Sequence, residues 1–330
     1  MYLLNGYTRL LCTGIIILFS LAAPAANTHE ELDANKIISQ IYHNLNHKPT
    51  LDMPTRIEHI SAQFLGKPYL LGALGEGANG DYDQWPLYRT DAFDCETYVD
   101  TVLAIALADN SYHFKQCINQ VRYQDGHVSY IHRNHFTCLD WNKNNQQQHF
   151  IKDITTTLRG EHDQVVVKYA RALIDKPAWY NHKSLATIRL NHADLKEQAR
   201  RVTSLQQAGK KLPRKSSIIA YIPLTALFDP TGQANKYLFA QIPHAAIVEI
   251  IRPNWNLNKE IGTNLNVSHL GFVFWEKGIP LFREASSAHG RVVDVPFIDY
   301  LRDAMKSPTI KGINVQIVMP QQNGSSPGCK

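Results

Sequence analysis

Hydrophobic and polar positions fall into two textures along the chain. Toward the N-terminus apolar residues recur at helical spacing. Ile37, Ile38 and Ile41 mark one face of a segment that predicts an amphipathic helix over Glu31–Asn44. A second helix is expected from about Pro54 to Leu65, where Gly66-Lys67-Pro68 breaks it. The run VDTVLAIALA is apolar on every face and predicts a buried helix from Cys95 to Ala108, with Asp94 as its N-cap. Residues 161–217 read as helical with a basic end, and 151–217 is expected to form a helical insertion. From residue 218 the texture becomes strand-like. Short β-branched or aromatic runs, divided by turn residues, cover Ala245–Arg252, Val267–Trp275, Pro280–Ala285, Arg291–Val295 and Asn314–Met319. No internal repeat is visible. Helices first and an antiparallel sheet last predict an α+β fold.

Composition narrows the class. The 330 residues are 44% hydrophobic and 19% charged, which excludes collagen, wholesale disorder and a coiled coil. The net charge of +5 does not by itself call for a nucleic-acid partner, and none is expected. Between Asp194 and Lys215, seven Lys/Arg stand against two Asp/Glu. That segment reads as a solvated helix face, with weak attraction to an anionic polymer as the second reading.

The N-terminus reads as an export signal over residues 1–26: Arg9, the apolar run Leu10–Ala23, then small residues to Ala26. The run is shorter than the roughly 18 apolar residues that span a bilayer. A retained anchor is the alternative. Residues 27–330 are then expected as one soluble, monomeric catalytic domain in the periplasm or outside the cell. Cleavage removes Cys12 and leaves Cys95, Cys117, Cys138 and Cys329 in an oxidising compartment. Cys117 and Cys138 are a candidate pair, while Cys329 lies in a Gly/Ser/Pro tail expected to be mobile.

Cys95 is the cysteine in a chemical setting. A thiol in the first turn of a helix meets the positive end of the dipole and unpaired N–H groups, which favour a thiolate and can hold an oxyanion. The bland reading, a small buried hydrophobe, stands beside this one. Downstream, His269 opens a strand and can serve as base. Glu284, one strand later, can orient its imidazole. A rival site is the stretch His127–Cys138, where His127, His132, His135 and Cys138 could ligate zinc. Their spacing fits neither the H-E-x-x-H pattern nor a finger.

The ordered motifs Gly66-x-Pro68-Tyr69-x-x-Gly72, Asp94-Cys95, His269-x-Gly271 and Glu284-Ala285-Ser286 resemble the NlpC-type cell-wall peptidases of the papain-like superfamily. Phe93–Asp100 is closer still to one branch, the N-acetylmuramoyl-L-alanine amidase-like family (domain of unknown function 1460). Arg122-Tyr123, Gly126, Tyr130, Arg133, His135-Phe136, Asp140-Trp141 and Asn144 or Asn145 extend that likeness. It covers about residues 55–320. The resemblance implies a papain-like fold, with a nucleophile helix on an antiparallel sheet, and hydrolysis of peptidoglycan without metal or other cofactor. Cys95 would be nucleophile, His269 base and Glu284 the third residue. Tyr69 would bind substrate or the oxyanion, Asp94 would contact substrate, and Arg133, His135 and Trp141 would line the cleft or pack. The third residue of the wider superfamily is usually His, Asn or Gln, so Glu284 is a departure. The implied reaction cuts the N-acetylmuramoyl–L-alanine amide. The alternatives are the D-glutamyl–diaminopimelate bond, a zinc hydrolase, and a non-catalytic wall-binding module.

Overall fold

Helical caps and apolar faces build one layer. Thr28 and Glu31 form a capping box at the start of α1 (His29–Asn46), and Asp52 caps α2 (Met53–Ala62), which has proline in its first turn. Asp94 and Thr97 cap α3 (Cys95–Leu107) reciprocally. Asn110 caps α4 (Ser111–Arg122). Every residue of α3 from Thr97 to Leu107 is buried. That explains its apolar sequence on all faces: α1, α2 and α4 contribute to the same core cluster on one side, and the sheet closes the other. The structure is a computed structural model describing residues 28–47, 51–192, 194–320 and 329; the export signal expected over 1–26 lies outside them.

The other layer is an eight-stranded antiparallel sheet. Its strands are β1 (Ile151–Asp153), β2 (Lys168–Ile174), β3 (Lys215–Pro223), β4 (Ala246–Leu257), β5 (Thr263–Glu276), β6 (Ile279–Ser286), β7 (Arg291–Pro296) and β8 (Gly312–Val318). The order is β2-β3-β8-β4-β5-β6-β7, with β1 beside β8. Short helices fill the connections: α5 (Asn142–Gln147), α6 (Lys176–Asn181), α7 (Leu195–Gly209), α8 (Leu224–Leu227), α9 (Lys236–Ala240), α10 (Asn258–Ile261) and α11 (Phe297–Ala304). Both sheet faces are covered. Leu270, Phe272 and Ala285 join the α3 core, whereas Val248, Val273 and Phe282 pack with Phe297 and Leu301 of α11. No helix among the described residues is long and apolar enough to cross a membrane.

Two expectations are corrected. The segment 151–217 is not a helical insertion, because alongside α6 and α7 it holds β1, β2 and the first residues of β3. In β2, Ala170, Ala172 and Ile174 are buried while Tyr169, Arg171 and Leu173 face solvent. That is a strand's period of two, obscured in the sequence by its lysine and arginine. Second, Cys117 is bonded to Cys329 and not to Cys138 (Cα–Cα 4.8 Å). Cys117 faces the core from α4, and Cys329, buried rather than free in a tail, closes on it. Cys138 lies instead against β3, where its sulfur is 2.5 Å from Ser217 Oγ.

Candidate active site

The site forms where the start of α3 meets β5 and β6. Asp94 is nearly buried and its acceptors are filled from two directions. Oδ1 accepts from the Thr97 N–H and hydroxyl, both at 2.8 Å, and Oδ2 accepts from the Gly72 N–H at 2.8 Å. One carboxylate therefore caps the helix and ties it to the loop carrying Tyr69. Gly72 ends that loop at φ +65°, a conformation that favours glycine. Cys95 follows the cap, half-buried, at the first helical position. The N–H groups of Cys95 and Glu96 have no intrahelical acceptor there.

On the sheet, His269 is the register partner of Ile250. The Nε2 of His269 donates to Glu284 Oε2, and the ring shares a cavity of about 190 Å³ with Cys95. Gly271 allows this packing: a side chain there would strike the Arg283 carbonyl and the Phe282 ring. Burial disfavours charge on His269, but interaction with the Cys95 sulfur and the Glu284 carboxylate prevails and pushes the imidazole up to about 10. An imidazolium beside a sulfur is the arrangement that supports thiol chemistry.

The surrounding residues divide by environment. Tyr69 borders the centre, and burial, with the charges of Cys95 and Asp94, pushes its phenol up to about 12. His135 lines the same cavity as Cys95. Its Nε2–H donates to the Tyr130 carbonyl at 2.7 Å, and burial, then Arg133 and Lys183, hold it well below the ordinary histidine value. Arg133 lines a neighbouring cavity of about 130 Å³, with its guanidinium paired to Glu76 and Asp83. Trp141 is fully buried and donates to Asp100 Oδ1 at 2.6 Å, so it packs beneath α3 and lines neither cavity. His127 and His132 pack against each other with tilted rings, centroids 4.5 Å apart, while His135 and Cys138 are engaged elsewhere. Among the described residues no three His, Cys, Asp or Glu side chains gather as a metal site requires.

Three neighbours were not legible as site residues. Glu96 lines both cavities. Burial, then the charges of Asp100, Asp94 and Cys95, raise its carboxyl well above the usual range. Asp100 is pushed up to about 7 by burial, against the pull of Arg122 and Trp141. Tyr300 of α11 stands 6.5 Å, ring to ring, from His269. Burial, then the charges of Glu284 and Cys95, raise its phenol. Glu96 and Asp100 carry a faint signal, being acids inside an apolar helix; Tyr300 carries none, because its helix is remote in sequence.

Comparison with known proteins agrees with this architecture. The model of a family described as AmiA-like, N-acetylmuramoyl-L-alanine amidase-like, matches residues 59–310. A crystal structure of a Legionella pneumophila protein of the DUF1460 family is 52% identical, over 89% of this chain and 97% of that one, with a TM-score of 0.86. An N-acetylmuramoyl-L-alanine amidase from Bacteroides uniformis is 22% identical, over 81% and 98%, with a TM-score of 0.55, and shares the fold. No curated protein matches the sequence.

Proposed function

The chain belongs to the N-acetylmuramoyl-L-alanine amidase-like family, and from that premise we propose a cysteine peptidoglycan amidase of papain-like fold. The bond cut is the amide between the lactyl group of N-acetylmuramic acid and L-alanine. Cys95 is the nucleophile, His269 the base and Glu284 the residue that orients and charges the imidazole. The thiolate attacks the lactyl carbonyl, and the N–H groups of Cys95 and Glu96 receive the oxyanion. His269 gives its proton to the departing alanine amine, leaving a thioester. Water, deprotonated by His269, then attacks the thioester. The products are a free muramic carboxylate and a stem peptide with a free amino end, and the thiol is restored.

One observation carries this reading: a helix-start cysteine and a histidine raised to about 10 share one cavity, with a glutamate behind the imidazole. Tyr69 is read as a substrate or oxyanion contact and His135 as a neutral wall of the cleft. Asp94 and Arg133 act through placement of the loop and helix. The unit is read as one domain over 27–330, exported by the 1–26 signal and acting as a monomer. Cleavage of the D-glutamyl–diaminopimelate bond is the second reading, since the same machinery serves either amide. Digesting defined muropeptides and weighing the products decides: sugar acid plus intact peptide marks the amidase. Cys95→Ala is expected to lower kcat by roughly 10⁴-fold or more. Full activity in that variant would overturn the thiol mechanism, and inactivity of the wild type on every muropeptide would leave a wall-binding module.

A further inference from the structure

Arginines around the cleft are mostly answered by carboxylates. Arg133 is paired with Glu76 and Asp83, Arg189 with Asp83, and Arg283 with Asp294. Arg252 differs. It lies on β4 two residues past Ile250, the register partner of His269. The ladder is irregular here: Ile251 still pairs with Val267, and pairing resumes only at Trp255–Leu265. The Arg252 guanidinium lies over the Trp255 indole, 4.4 Å from its centroid. Its Nε is closed off from solvent and has no hydrogen-bond partner among the described residues.

Nε, being closed off, cannot itself meet a ligand; the terminal nitrogens of Arg252, which enter no ion pair among the described residues, remain as donors for an anion. Arg252 lines neither of the two site cavities, so its route to the reaction centre is by way of Tyr300. Tyr300 connects the two: Arg252 is near enough for its charge to act on Tyr300, whose ring is 6.5 Å from that of His269. The indole beneath Arg252 restricts the guanidinium and strips water from one side of it. A planar, pre-oriented fork of N–H donors is the geometry that grips a carboxylate by two parallel bonds.

We propose that Arg252, held by Trp255 and flanked by Tyr300, is the specificity-determining anchor for the stem-peptide carboxylate nearest the scissile amide. This inference rests on the function proposed above. For the lactyl–alanine amide proposed above, the D-glutamyl residue follows the alanine, and its α-carboxylate is the first free anion on the leaving side of the reacting bond.

The test uses two muropeptides identical except at the D-glutamyl α-carboxyl, one a free acid and the other a carboxamide. Wild type is expected to prefer the acid in kcat/KM by about 10- to 100-fold, the range of a charge-assisted pair. Arg252→Ala is expected to abolish the preference by raising KM for the acid with kcat nearly unchanged, and to leave the carboxamide substrate unaffected. Arg252→Lys should restore only part of it, and Arg252→Gln, which keeps volume, should behave as the alanine variant does. A melting curve for each variant checks folding. An active wild type without preference, or an Arg252→Gln variant that is folded and loses activity equally on both substrates, overturns the anchor and leaves the enzyme standing. A wild type that cuts neither substrate, or Cys95→Ala as active as wild type, overturns the underlying function and the anchor with it.

Discussion

Glu284 and Glu249 are both buried glutamates on one sheet, two strands apart. Glu284 on β6 meets an imidazole, and the pair lies at the candidate reaction centre. Glu249 on β4 meets only amides: Gln316 Nε2 donates to it at 2.7 Å and Asn142 Nδ2 at 3.1 Å. Burial therefore dominates at Glu249 and pushes its carboxyl up to about 8. At His269 the balance is reversed, and opposing charges raise the imidazole to about 10 despite burial. Two acids that look alike by type and depth thus do different work. One helps hold a charge that chemistry can use; the other is a protonatable clasp between β4, β8 and α5.

The comparison breaks most decisively at Glu284. Glu284→Gln is expected to lower kcat/KM by on the order of 10²–10⁴-fold, and to move the His269 titration, followed by NMR of the imidazole, downward from about 10. Glu249→Gln should leave kcat/KM within about twofold of wild type, because surface-distant polar changes act on stability and not on the transition state. Equal losses from the two variants would erase the distinction.

Stability against pH sharpens it. The folded-state value of Glu249 is raised from 4.5 to about 8, so the folded protein binds that proton more tightly than the unfolded chain. Its contribution is greatest at acid pH and falls as pH rises from about 4.5 to about 8. His269, raised from 6.5 to about 10, contributes stability that is complete below 6.5 and lost as pH rises through about 10. Urea unfolding at a series of pH values should show both windows, with a change on the order of a few kcal/mol across them. Glu249→Gln should flatten the lower window, and Glu284→Gln the upper. A smaller effect is expected at Trp141→Phe, which removes the donor to Asp100 but keeps the packing. It should cost about 1–3 kcal/mol in chemical unfolding and raise the Asp100 carboxyl further above its present value of about 7.

Legibility followed the range of the interactions. The start of α3 could be read from Asp94, Cys95 and Thr97, since a capping box is complete within four consecutive positions. The strand of His269 was visible from its β-branched and aromatic run. Beyond that reach the reading failed in specific ways. Cys117 finds its partner 212 residues away, so spacing was no guide. The strand Lys168–Ile174 needed the edge of β3 to fix its faces. The sequence left Trp141 open between cleft and packing, and only the fold, with Asp100 beneath it, decides for packing; the carboxylates of Glu76 and Asp83 that pair with Arg133 come from a loop about fifty residues upstream.

The sequence by itself determined the parts that need only neighbours along the chain: the helix-start cysteine with its cap, the histidine strand, the α+β class, and the family that those motifs mark. Only tertiary structure decided how the long-range groups are charged and paired: a carboxylate behind His269, an Arg252 Nε without a partner among the described residues, and amides as the hydrogen-bond donors to Glu249. Caps and turns close within a few residues, so the local chain specifies them. Protonation and ion pairing depend on burial and on charges brought from other strands, and those exist only once the sheet has assembled.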